Sequence, residues 1–177
     1  MIGVKGEHPY VRWAIRVIEE YLKTGKAPYP DETLPEELFE KKAGCFVSLH
    51  RLDGALRGCI GTIVPTQENL ALEIRENAIS AATRDPRFPP VTVEELDEIE
   101  VSVDVLGDME RVKDLKELDP KIYGIVVVKG FRKGVLLPDL PGVDTVEEQL
   151  RIACLKAGID PREEGKELYK FRVERYH

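Results

Sequence analysis

The chain is poor in cysteine, with only three among its 177 residues. An odd number without framework spacing excludes a disulfide-stapled secreted domain and is typical of the reducing cytoplasm. Apolar runs all fall short of the roughly 18 residues that a membrane-spanning helix needs, so we expect no membrane segment. The N-terminus also lacks a basic stretch followed by an apolar one, which predicts that no signal peptide is present.

Side-chain amides are scarce as well, and acidic residues outnumber basic ones. Only four Asn and Gln residues occur beside many Glu and Lys, a balance typical of thermophilic proteins. The formal net charge is −7, which disfavours nucleic acid as a partner. A local basic patch could still form from five arginines: Arg51, Arg57, Arg75, Arg84 and Arg87.

The chain does have a soluble globular composition and clear strand and helix patterns. Apolar residues make up 42% and charged residues 33%. Residues 99–106 alternate apolar and polar side chains. Segments 44–51 and 55–62 have strand patterns and flank Asp53-Gly54, a two-residue hairpin signal. These patterns predict an α+β fold, with a mixed, mainly antiparallel sheet and flanking helices, in one domain over 1–177.

The second half of the chain repeats the order of elements in the first half. Segments 44–106 and 124–174 each have a hairpin, a helix, the tripeptide Asp-Pro-Arg and a strand. This order predicts an internal duplication; the alternative is chance, since Gly and Pro recur at turns. Glycines ten residues apart also occur in both segments: Gly44 with Gly54, and Gly124 with Gly134.

The Asp53-Gly54 turn predicts which residues of the first hairpin face each other. A two-residue turn places Ser48 opposite Cys59 and His50 opposite Arg57. Alternation along the strand then puts Arg57 and Cys59 on a polar face with His50. On the core face we expect Leu56 and Ile60 among others. A three-residue loop would shift this register.

A thiol near an arginine and a histidine can react as a thiolate, so Cys59, Arg57 and His50 are the catalytic candidates. The alternative is that Cys59 is a small buried apolar residue. Asp85 and Arg87 can lock their own proline-rich loop or form a wall of the site. Gly58 and Gly61 allow a ligand or a second backbone to approach closely. The binding candidates are Gly58, Gly61, Ser48, Asp85 and Arg87.

We expect neither a metal nor a cofactor. Cys45, His50 and Cys59 lack ligand spacing, and the predicted faces separate Cys45 from the other two. The stretch Gly58–Gly61 lies inside a strand without a following Lys, so it is not a phosphate loop. Whether the chain is an enzyme stays open on these residues.

The segment Leu56-Arg57-Gly58-Cys59-Ile60-Gly61 resembles the hallmark of the AMMECR-type domain family. "RDPRFPPVT", "IEVSV", "VLLPDL" and "CLKAG" resemble further blocks of that family, and the likeness extends from "HPYVRWAI" to the final strand. Two positions depart from the family pattern. Asp139 follows Leu-Leu-Pro where Gln is usual, and "GVDTV" stands where an aromatic residue is common.

The resemblance implies an intracellular α+β protein with a larger and a smaller subdomain. It also implies Memo-like and radical SAM proteins as partners in a modification pathway, and animal relatives in the family look like interaction and regulatory factors. Three hypotheses follow: a catalytic or binding cleft for an unknown small molecule at the Arg57-Gly58-Cys59 strand, a non-enzymatic protein-interaction module, and RNA or nucleotide binding.

Overall fold

A computed structural model describes residues 6–177, so the expectation about a signal peptide rests partly on residues 1–5, which lie outside the described residues. The described chain forms two compact units. The larger unit comprises 6–106 together with 174–177, and the smaller unit comprises 107–173. The larger and smaller subdomains implied by the family resemblance are therefore confirmed.

Both units contain helices and strands. Two short 3-10 helices span Val93–Glu98 and Leu115–Glu117. The α-helices are α1 (Pro9–Thr24), α2 (Glu37–Glu40), α3 (Leu70–Thr83) and α4 (Val146–Ala157). The strands are β1 (Cys45–Arg51), β2 (Leu56–Gly61), β3 (Ile99–Leu106), β4 (Glu110–Arg111), β5 (Gly124–Lys129), β6 (Arg132–Leu136), β7 (Glu167–Phe171) and β8 (Val173–Tyr176).

The sheet of the larger unit has the strand order β2-β1-β3-β8, and β1 pairs antiparallel with both of its neighbours. Helix α1 begins at Pro9, whose fixed φ suits a first helical turn, and ends at Gly25 with φ +77°. Its stripe of Val11, Ala14 and Ile18 is buried. Together with α3 this stripe covers one face of the sheet and forms the core.

The sheet of the smaller unit has the order β4-β7-β5-β6, again with antiparallel pairs. Helix α4 begins after Thr145, whose side chain accepts the N–H of Glu148, and packs on β5 and β6. Ile125, Val127 and Ala153 lie in its core. The predicted α+β fold is confirmed. Among the described residues, every helix is too short or too polar to cross a bilayer.

The two units share one connectivity, because a hairpin, a helix and a third strand beside the first occur in each. An alanine Cβ at Gly58 would lie 2.3 Å from the Ala81 carbonyl oxygen of α3. At Gly134 it would lie 2.1 Å from the Ala153 carbonyl oxygen of α4. Gly134 therefore packs against a helix as Gly58 does. The equal spacing of the glycine pairs had aligned Gly134 with Gly54, and that alignment was wrong. Duplication as the origin stays a prediction.

Candidate functional site

The turn of the first hairpin is one residue longer than predicted. Gly54, with φ +91°, donates its N–H to the Arg51 carbonyl oxygen at 2.9 Å, and three residues connect the strands. This loop places Leu56, not Arg57, opposite His50. The predicted pairing of His50 with Arg57 was wrong because a left-handed glycine closes a three-residue loop.

A β-bulge then restores the predicted register. The pairing shifts between Leu49 and His50, so Arg57 is the extra residue, and Leu49 faces Gly58. Ser48 faces Cys59 as predicted, and the Ser48 Oγ lies 3.2 Å from the Cys59 Sγ. The hydroxyl and the thiol therefore form one hydrogen-bonded pair.

The bulge carries Arg57 into a buried ion pair. Arg57 is 2% exposed, and its Nε and Nη2 donate to the Glu95 carboxylate at 2.9 and 3.1 Å. These bonds from Arg57 are the main cause of the lowered pKa of Glu95. A buried guanidinium requires such a partner. Arg57 thus faces the 3-10 helix instead of Cys59, and Leu56, predicted in the core, is 36% exposed.

Asp85 binds the backbone of β2. Its Oδ2 accepts the Cys59 N–H at 3.0 Å, and its side chain accepts Nε and Nη2 of Arg87 at 3.0 and 2.8 Å. Asp85 is 4% exposed, and burial alone would raise its pKa. The bonds from Arg87 and from the Cys59 N–H outweigh burial and lower that pKa to about 2. The predicted Asp85–Arg87 ion pair is therefore present.

Arg87 binds the second backbone group of Cys59, because its Nη2 donates to the Cys59 carbonyl oxygen at 3.2 Å. Both outward backbone groups of Cys59 are thus satisfied on β2, an edge strand of its sheet. We call Asp85 and Arg87 the edge cap, since they replace a neighbouring strand there. The bond to Asp85 is the main reason that the pKa of Arg87 is raised, and attraction to a Cys59 thiolate adds to it.

Phe88 lies between the two arginines, with its ring centroid 5.5 Å from the Arg87 guanidinium carbon and 6.0 Å from that of Arg57. Cations favour the faces of aromatic rings. Phe88 and Glu95 are site residues that the candidate set missed. Glu95 has one signal in the sequence, the Thr92-to-Glu95 spacing of a capping box, but nothing there indicates its bond to Arg57.

At both candidate glycines, other residues of the chain occupy the space that a side chain would need. The helix carbonyl of Ala81 occupies the space beside Gly58. A Cβ at Gly61 would lie 2.3 Å from the ring of Phe46 and 2.5 Å from the Cys45 carbonyl oxygen. Close approach by a backbone is therefore present at both glycines, and their role in binding a ligand stays a prediction.

The cysteines differ in their surroundings. Cys45 is buried beside the Asn77 amide, which lies 3.3 Å from its Sγ, and burial raises the pKa of that thiol to about 12. Cys154 is buried in α4, and burial raises its pKa too. Cys59 alone among the three keeps part of its surface exposed. The structure thus brings together Ser48, Cys59, Asp85 and Arg87, whereas Arg57 and His50 have other neighbours.

A family model, related sequences and a solved structure all match this chain. The sequence model of the AMMECR1 family matches residues 11–176. A Thermotoga maritima protein is 66% identical over 171 residues, covering 97% of this chain and 98% of that protein. A Clostridium acetobutylicum protein is 50% identical, covering 95% of this chain but 36% of that protein. The crystal structure of an uncharacterized Pyrococcus horikoshii protein, 40% identical, has a TM-score of 0.89 over 98% of this chain and 92% of that one.

Proposed function

This chain belongs to the AMMECR1 family, and on that premise we propose that it acts on a small anionic molecule through the Cys59 thiol. The observation that carries the proposal is the grouping of the partly exposed thiol with the Ser48 hydroxyl and the edge cap. Thiolates are the reactive form of cysteine.

The charge at this site favours a negatively charged ligand. The Arg87 side chain is 47% exposed, and its Nη1 makes no hydrogen bond within the described residues. Asp85 neutralises part of this charge because it binds the same guanidinium. The expected attraction is therefore modest, close to that of an exposed ion pair.

The chemistry available is attack by sulfur on an electrophilic carbon. The Cys59 thiol loses its proton to water, an S–C bond forms, and the leaving group departs with the electron pair of its broken bond. The product is a covalent adduct on Cys59, suited to an enzyme intermediate or to a carrier. The family resemblance supports Memo-like and radical SAM proteins as partners in such a pathway. Three free cysteines support a cytoplasmic location.

A non-enzymatic interaction module is the second candidate. Leu52 and Leu56 are exposed at the end of the hairpin, and a cavity of about 510 Å³ lies beside Leu52 and Glu98. RNA or nucleotide binding has less support. Arg57 and Arg87 each form an ion pair with a carboxylate, which reduces the positive charge available for phosphates.

A matched pair of alkylating reagents tests the site. Iodoacetate and iodoacetamide react alike but differ in charge, so the ratio of their rates at Cys59 measures the local field. We expect Arg87→Gln to lower the iodoacetate-to-iodoacetamide ratio about threefold, the effect of one exposed ion pair. Peptide mass mapping after short exposures gives both rates.

Arg162→Gln is the control, because Arg162 forms the same local pair with Asp160 in the second Asp-Pro-Arg tripeptide. It should leave the ratio unchanged. An equal ratio in wild type and Arg87→Gln would contradict an anion-binding thiol site and would favour the interaction module.

A further inference from the structure

The strand β6 has an outer edge that faces away from its sheet. Gly130, with φ +63°, and Phe131 form a two-residue turn that closes on the Lys129–Arg132 pair. In an antiparallel ladder, alternate residues bond to the partner strand. Arg132 and Gly134 therefore bond to β5, whereas the N–H and C=O groups of Lys133 and Val135 point outward.

These outward groups correspond to those that the edge cap satisfies in the larger unit. Val135 follows Gly134 as Cys59 follows Gly58, and both glycines pack against a helix carbonyl. On β2, Asp85 and Arg87 bind the N–H and the C=O of Cys59.

The second Asp-Pro-Arg tripeptide makes no such cap. The Asp160 carboxylate binds the Arg162 backbone and guanidinium within its own loop. Glu163 attaches this loop to the hairpin tip instead, with bonds to Arg132 at 3.1 Å and Lys129 at 3.3 Å. Within 107–173, β6 has β5 as its single neighbouring strand, and no hydrogen bond reaches its outer backbone.

We propose that this outer edge pairs with β6 of a second copy of the chain, antiparallel about a twofold axis at Gly134. Lys133 then lies opposite Val135 of the other copy, and each such pair exchanges both of its N–H···O bonds. Arg132 lies opposite Leu136, so no two cations lie directly opposite each other, and the two Lys133 side chains are diagonal neighbours on one face of the sheet. The same surface serves on both copies, as a closed dimer requires.

Phe131 supports a second copy as the occupant. Its side chain is 100% exposed at the hairpin tip. In the twofold pairing, Phe131 lies just beyond the paired residues, at the position opposite Leu137 of the other copy, which is 8% exposed. The pairing therefore places one exposed aromatic ring at each end of the two-strand interface.

Sedimentation of the full chain at increasing concentration tests the proposal. We expect the wild type to reach twice its 20.0 kDa monomer mass. Val135→Pro removes only an outward N–H, which proline tolerates on an edge strand, and should weaken dimerization at least about 100-fold. Val135→Thr keeps that N–H and should dimerize as the wild type does.

Phe131→Ser provides a second variant that cannot disturb a core, because the ring is fully exposed. It should also shift the equilibrium toward monomer, about tenfold. A wild type that stays monomeric at every concentration overturns the proposal and leaves a strand of another protein as the occupant. Full dimerization of Val135→Pro overturns it as well.

Discussion

We expect Gly58→Ala to lower the free energy of unfolding by about 3 kcal/mol, the upper end for overpacked sites. The new Cβ would lie 2.3 Å from the Ala81 carbonyl oxygen, and neither β2 nor α3 can yield without moving backbone. The substitution should therefore separate the helix from the strand that carries Cys59. Urea unfolding followed by circular dichroism measures the loss.

Gly107→Ala is the control for this substitution. A Cβ at Gly107 would lie 3.5 Å from the Arg172 carbonyl oxygen, an ordinary contact, and Gly107 is exposed. We expect its free energy of unfolding to change by less than about 0.5 kcal/mol. Equal stability of Gly58→Ala and Gly107→Ala would contradict the packing of α3 on β2.

We expect Asp85→Ala to lower the free energy of unfolding by about 2 kcal/mol, mainly the cost of an unsatisfied backbone donor, since the ion pair is half-exposed on the Arg87 side. The variant leaves the Cys59 N–H without its acceptor and Arg87 without its partner. This cost is lower than that of breaking a fully buried ion pair because the half-exposed Arg87 can regain water. Asp160→Ala removes the same local ion pair from an exposed loop and should have a far smaller effect.

Acid should narrow the difference in stability between the wild type and Asp85→Ala. The pKa of Asp85 is lowered from 3.8 to about 2 in the folded chain, so the folded state binds fewer protons than the unfolded state between these values. The stabilisation is fully present above pH 3.8 and is lost as the pH falls toward 2. A difference that stays constant over this range would contradict the ion pair.

Local patterns in the sequence predicted the fold class and two contacts of the site, Ser48 with Cys59 and Asp85 with Arg87. The Asp53-Gly54 turn predicted the Ser48–Cys59 pairing, which is present because the bulge cancels the effect of the longer turn. The tripeptide around Asp85 predicted its ion pair with Arg87, since both residues lie within one short loop. Each of these features depends on residues that are close in sequence or in one hairpin.

The site contacts that the sequence did not predict depend on tertiary packing, which no local pattern shows. Arg57 leaves the polar face because Glu95, 38 residues later, binds it. The bond from Cys59 to Asp85 joins residues 26 apart through the docking of a loop on a strand edge. Alternation therefore placed Arg57 beside Cys59, whereas Arg87 is the arginine that contacts Cys59.

Alkylation of the native protein by iodoacetamide across a pH series tests the central claim most directly. Peptide mass mapping assigns each adduct to one of the three cysteines. We predict that Cys59 is modified in the folded protein, at a rate that rises with pH as its thiolate forms, while Cys45 and Cys154 react only after unfolding. If Cys59, like Cys45 and Cys154, is modified only after unfolding, the result would contradict a thiol-centred site.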